Sequence, residues 1–220
     1  MKILIVAPHA DDEVLGVGGT IAKYAASGHE VFVCVMTKGT APLYREDRLH
    51  IIREETRLAH ELLGVKNTFF LDFPAVMLEN VPRYELNGKL QNLVNELKPD
   101  QVYIPHHGDM QKDHQIVAEA CMVVLRPKFE HKVKEIYAYE TLSETEWNIP
   151  HASTTFIPNV WVDISEFLPK KVEAMMKFKT QLADFPNPRS VEAIESLAKF
   201  RGSNICVKAA ESFALVRLIH

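Results

Sequence analysis

One histidine and three carboxylates, His9, Asp11, Asp12 and Glu13, fall within five residues of the stretch APHADDEVLGVGGT. Charges this dense repel one another and lose solvation if buried, so they call for a neutralising partner, which a bound cation supplies. His and Asp gather a second time in HHGDMQKDH, residues 106–114. Zinc in a hydrolytic site is held by three nitrogen or oxygen side chains, with a further position left open for water. His9, Asp12 and His114 furnish that set. Imidazole and carboxylate ligands without sulfur suit zinc or another divalent first-row metal, whereas calcium wants more oxygens. Asp11, beside ligand Asp12 and unable to chelate with it, is left to face water as a general base for attack on a carbonyl. Glu13 reads as a first-turn carboxylate at the positive end of a helix. Asp113 has two readings, a partner that orients a histidine and an N-cap for a helix beginning at His114.

For these two stretches to meet, the elements carrying them must end on the same side of a sheet. Apolar runs predict strands at Lys2–Ala7, Glu30–Thr37, Asn67–Leu71, Gln101–Pro105 and Glu135–Glu140. Helix-period segments between them predict helices at Glu13–Ser27, Glu46–Leu63, Glu85–Leu97 and His114–Leu125, closed by Gly28, Gly64, Pro99 and Pro127. Strands alternating with helices give an α/β fold, a Rossmann-like parallel sheet flanked by helices, here expected in the order 3-2-1-4-5. Ligands bind such sheets beyond the strand ends where the order reverses, between strands one and four. Those are the strands that end in HADDE and in HHGDMQKDH.

After Thr141 comes a polar loop, LSETEWNIPHAST, then TFIPNVWVDIS as a strand, two helical stretches around DFPNPRS, and a β-rich ending, ESFALVRLIH, expected to rejoin the sheet or form its edge. This tail reads as a C-terminal elaboration of mixed strand and helix within one domain spanning residues 1–220. Trp147 in the polar loop has two readings, a cover that stacks on a sugar ring and a core packing residue. The glycines of GVGGT lie inside the first helix and lack the G-x-G-x-x-G spacing. They suit close packing better than the dinucleotide loop of an oxidoreductase.

With 25 basic against 29 acidic residues and no Lys/Arg run, the chain is not expected to bind nucleic acid. No stretch is long and apolar enough to predict a membrane span, and no export signal is evident, so a cytoplasmic location is expected. Cys34, Cys121 and Cys206 read as reduced core residues, and His29, His50, His60, His131, His151 and His220 as surface or ordinary polar positions.

These residues resemble the PIG-L/LmbE-like zinc-dependent N-deacetylases. APHADDE is similar to the family's A/P-H-P-D-D-E signature with Ala10 in place of the usual Pro, and QKDH at Gln111–His114 is similar to its H-P-D-H. REETRLAHELLGV, PRSVEAIESLAKFRG and AESF extend the resemblance over nearly the whole chain. The resemblance implies hydrolysis of the acetamide of an N-acetylated amino sugar or sugar conjugate, nucleotide-linked ones included. His9, Asp12 and His114 would be the zinc ligands and Asp11 the base. It also implies a homo-oligomer and places Arg53 near the site, where its fork would orient Asp12 or bind a sugar oxygen.

Two positions depart from the family pattern. Gln111 stands where the family has a histidine that protonates the leaving amine or steadies the oxyanion, and glutamine cannot transfer a proton near neutral pH. Ala209 stands where some members carry a tyrosine. His106 and His107 are candidates for the missing acid, and Asp11 serving as base and then acid is another route. The competing expectation is a non-catalytic sugar- or metal-binding protein that has lost the acid.

Overall fold

The computed structural model describes the backbone of all 220 residues and every side chain except those of residues 46–49. Strands β1 (Lys2–Ala7), β2 (Glu30–Lys38), β3 (Asn67–Pro74), β4 (Gln101–Pro105) and β5 (Glu135–Tyr139) alternate with helices α1 (Asp12–Ala26), α2 (Glu46–Leu63), α3 (Arg83–Leu97) and α4 (Lys112–Val124). Strand β6 (Val160–Asp163), helices α5 (Leu168–Met175) and α6 (Val191–Ser203) and strand β7 (Ala210–Leu218) complete the chain. The seven strands form one sheet in the order β3-β2-β1-β4-β5-β7-β6. All neighbours up to β5 are parallel, and β7 is antiparallel to both β5 and β6.

Successive side chains of a strand point to opposite faces, and the inner strands are buried on both. Leu4 and Val6 of β1 therefore join Leu90 of α3 and Val117 of α4 in one core. Ile3 and Ile5 join Val17 of α1, Leu63 of α2 and Met175 of α5 on the other face. The chain moves outward from β1 in both directions, so the loop after β1 and the loop after β4 border the same crevice.

The last strand is interior, not the edge. ESFALVRLIH enters between β5 and β6, and β6 closes the sheet on that side. Helix α1 packs hard against this half: a Cβ on Gly16 would lie 2.3 Å from the Tyr139 ring, so only glycine allows the approach. Lys171 of α5 donates to the Leu15 carbonyl at 2.7 Å and to Glu211 of β7 at 2.6 Å. Glu211 in turn accepts from the amides of Gly19 and Thr20. Both side chains of this ion pair are about 5% exposed. Removing one partner strands a buried charge, so Glu211→Ala is expected to cost ~3–5 kcal/mol, read from urea unfolding midpoints. A loss below ~1 kcal/mol would show the pair to be dispensable.

Helix ends move by a residue or two from expectation for local reasons. The Gln111 side chain accepts from the Asp113 amide at 2.9 Å, so Gln111 is the N-cap of α4 and Asp113 lies inside the first turn. Gly64 closes α2 in the left-handed conformation, with φ 83°. Cys34 and Cys121 are buried, and burial pushes their thiols up in pKa; Cys206 is exposed, contrary to its expected core position. Among the described residues no helix is long and apolar enough to cross a membrane.

Candidate metal centre and active site

The turn after β1 is tight enough to force Asp11 into the left-handed region, with φ 108°. Its carbonyl accepts from the amides of Val14 and Leu15, which starts α1 directly behind it. The Asp11 amide donates to Glu13 Oε2 at 3.2 Å, and Glu13 Oε1 accepts from His60 Nε2 at 2.8 Å. His60 Nδ1 lies 2.7 Å from the Thr68 hydroxyl, which ties the turn to α2 and β3. His60 is thus a buried strut of the site and not a surface histidine, and Glu13 does more than face the helix dipole.

His114 of α4 is fully buried and reaches across the crevice to this turn. Among the described residues, His9, Asp12 and His114 each offer a ligand atom, all within 4.8 Å of one another. Nδ1 of His9 and Nε2 of His114 lie 3.3 and 3.2 Å from Asp12 Oδ2. The opposite nitrogen of each ring donates to a carboxylate: His9 Nε2 to Asp113 at 3.0 Å and His114 Nδ1 to Asp109 at 2.9 Å. Such pairing fixes ring orientation and leaves the inner nitrogen as the ligand. Asp113 is held by the amides of Val76 and Leu78, and Asp109 by the Thr145 hydroxyl. His114 Nε2 and Asp12 Oδ1 are buried without a hydrogen-bond partner. Two unpartnered lone-pair atoms where three candidate ligands converge fit a divalent cation.

The electrostatics of the metal-free cluster carry a pH dependence. Burial pulls the His9 and His114 imidazoles down, but the carboxylates around them prevail. The hydrogen bond to Asp113, with Asp12, pushes His9 up to about 9. The charge of Asp12 and the hydrogen bond to Asp109 push His114 up to about 10. The resulting ion pairing stabilises the metal-free fold fully below about pH 6.5 and is lost as pH rises through those raised values. Metal needs both imidazoles neutral, so uptake near pH 7 is expected to release up to ~2 protons and to tighten by up to ~100-fold per pH unit below about pH 9. Calorimetry in two buffers of different ionisation enthalpy counts the protons; identical heats in both would contradict this linkage.

The cluster opens into a cavity of about 180 Å³ lined by His9, Asp11, Tyr44, Gln111, Glu144 and Arg189, among others. A larger cavity, about 380 Å³, lies beneath the loop after β5 and contains none of the three ligands. Of the two, only the smaller is lined by one of the three, His9. Asp11 is 1% exposed, and its Oδ2 accepts from Arg189 Nη1 at 2.7 Å. Burial raises its carboxyl and the Arg189 charge opposes the rise. Burial also acts to raise Asp12, but the imidazoles facing it hold its carboxyl well below the ordinary value. The Ser143 hydroxyl and the Gln181 side-chain oxygen accept from the same guanidinium, at Nε and Nη1.

Other expected site residues are placed differently. Arg53 pairs with Asp72 and lies over the Phe70 ring at 4.6 Å, so it does not orient Asp12. His106 and His107 bond through Nε2 to the carbonyls of Thr154 and Ser153 and pin that loop; neither lines the cavity. Burial holds His106 below the ordinary imidazole value. Trp147 is 55% exposed and outside the cavity. Gln111 does line it, with its amide nitrogen 3.2 Å from His9 Nε2. Ala209 is buried against Ile164 and Ala198. Arg189, Asp109 and Glu144 belong to the site although nothing in the sequence marks them for it. The first opens the segment PRSVEAIESLAKFRG after its proline and the second lies five residues before His114, while Glu144 is one of two acids in SETEW.

Residues 4–125 match the family model described as PIG-L, GlcNAc-PI de-N-acetylase. A probable N-acetyl-alpha-D-glucosaminyl L-malate deacetylase of Bacillus anthracis is 30% identical over 192 residues, covering 82% of this chain and 81% of that protein. The N,N'-diacetylchitobiose deacetylase of Pyrococcus horikoshii superposes with TM-score 0.78 at 25% identity, covering 98% of this chain and 83% of that one. A conserved protein of Thermus thermophilus superposes with TM-score 0.82 at 26% identity, covering 99% of this chain and 96% of that one.

Proposed function

The chain belongs to the PIG-L family, and on that premise we propose that it is a zinc-dependent N-deacetylase of an N-acetylated amino sugar or sugar conjugate. Acetate and a free amine are the products. The observation that carries this is the convergence of His9, Asp12 and His114, with orphaned ligand atoms, beside a buried Asp11 that chelates nothing and faces the same cavity. Relatives that deacetylate glucosaminyl malate and diacetylchitobiose support the substrate class. A cytoplasmic location belongs to the same proposal.

His9, Asp12 and His114 hold the metal, which when bound supplies Lewis-acid stabilisation of charge growing on the acetyl oxygen and makes water more acidic. Asp11 accepts the proton of the attacking water. Arg189 keeps that carboxylate aimed into the cavity and limits its rotation. Gln111 presents an amide N–H beside His9 and can hydrogen-bond a substrate oxygen, but it moves no proton.

Acetate release from N-acetylglucosamine, its glycosides, its β-linked disaccharide and a nucleotide-linked form tests the proposal. Turnover of at least one is expected. Saturable binding across such a panel with no acetate from any member would favour the sugar-binding alternative that Gln111 and Ala209 suggest.

A further inference from the structure

The leaving nitrogen in this reaction needs a proton donor, and Asp11 returning the proton it takes from water is one candidate. Asp11 takes its proton from water, and its Oδ2 is already engaged by Arg189 at 2.7 Å. Gln111 cannot release a proton near neutral pH. His106 and His107 are committed to the carbonyls of Thr154 and Ser153.

A second carboxyl lines the same cavity, that of Glu144. Its backbone is fixed in the loop after β5, where its amide donates to the Thr141 carbonyl and its own carbonyl accepts from the Met110 amide. The side chain is 12% exposed, with Oε1 lying 3.9 Å from Arg189 Nη2. Oε2 is buried and has no hydrogen-bond partner. Burial raises this carboxyl above the ordinary glutamate value, Asp12 adds to the rise, and His114, Arg189 and His9 oppose it. An unpartnered carboxylate oxygen is costly to bury; a proton on it, or a donor from a ligand, removes the cost.

We propose that Glu144 is the catalytic acid that protonates the leaving amine, sharing the cavity with the base Asp11 and bridged to it by the Arg189 guanidinium. This rests on the deacetylase reading. Water gives one proton to Asp11 while its oxygen bonds to the acetyl carbon; the C–N bond then breaks, and the nitrogen takes the proton of the Glu144 carboxyl. Acetate and amine leave, and exchange with solvent deprotonates Asp11 and reprotonates Glu144.

An acid is needed for a poor leaving group and not for a good one. Glu144→Gln should therefore lower the ratio of turnover on an N-acetylglucosamine glycoside to turnover on p-nitrophenyl acetate by ~10²-fold, with unchanged metal content. Independently of turnover, the metal-free variant should bind glucosamine ~10-fold more weakly, because the ionised Glu144 faces the product ammonium. An equal loss on both substrates, or no loss on the amide, would overturn the assignment. If Glu144→Gln does not fold, the same ratio in Glu144→Asp decides. Wild-type protein that releases no acetate from any sugar amide would overturn the deacetylase reading and this inference together; an active wild type with an equally active Glu144→Gln would overturn only the latter.

Discussion

Replacing Asp11 with Asn is expected to lower acetate release by ~10³-fold while metal content stays unchanged. Asparagine tolerates the left-handed backbone that the turn imposes at φ 108°. It also keeps an oxygen for Arg189, so the loop and α1 stay in place. What is lost is the ability to accept a proton. Asp11 offers no atom to the ligand cluster, which is why the metal should remain. Metal analysis of the purified variant beside its turnover number checks both halves. Loss of the metal would make Asp11 a ligand, and a rate within ~10-fold of wild type would put the base elsewhere.

His114→Ala is the second large effect. It removes one of three ligands and also the imidazole that occupies Asp109. Metal retention should collapse, by more than the ~10–100-fold expected when only a supporting partner such as Asp109 is changed to Asn, and acetate release should fall with it. The fold should survive, because Thr145 still donates to Asp109 and the loss is ~1–3 kcal/mol. Metal titration of the two variants side by side measures the contrast. Equal affinities in His114→Ala and Asp109→Asn would show that His114 is not a ligand.

The parallel half of the fold is legible because each strand is an apolar run with a Gly or Pro stop nearby. Lys2–Ala7 and Gln101–Pro105 are strands to the residue. The switch point follows from strand order, and with it the meeting of two loops far apart in the chain. The position of β7 is not legible, since the apolar pattern of ESFALVRLIH suits an interior and an edge strand alike. Nor does a polar loop reveal which of its residues turns inward. Asp109 and His106 are neighbours in one loop, yet the first supports His114 and the second pins Thr154. Arg189 meets Asp11 across 178 residues, a contact that only the packing of the C-terminal segment against α1 creates. Arg53, on a helix face, finds a nearer partner in Asp72 before it can reach the centre.

If a metal at His9, Asp12 and His114 makes this chain a deacetylase, removing that metal must stop acetate release. The most direct test is acetate release from an N-acetylglucosamine conjugate by protein as purified, after chelator treatment, and after zinc is added back. About one zinc per chain is expected, with activity lost on chelation and restored on reloading. Acetate release that survives complete metal removal would contradict that expectation.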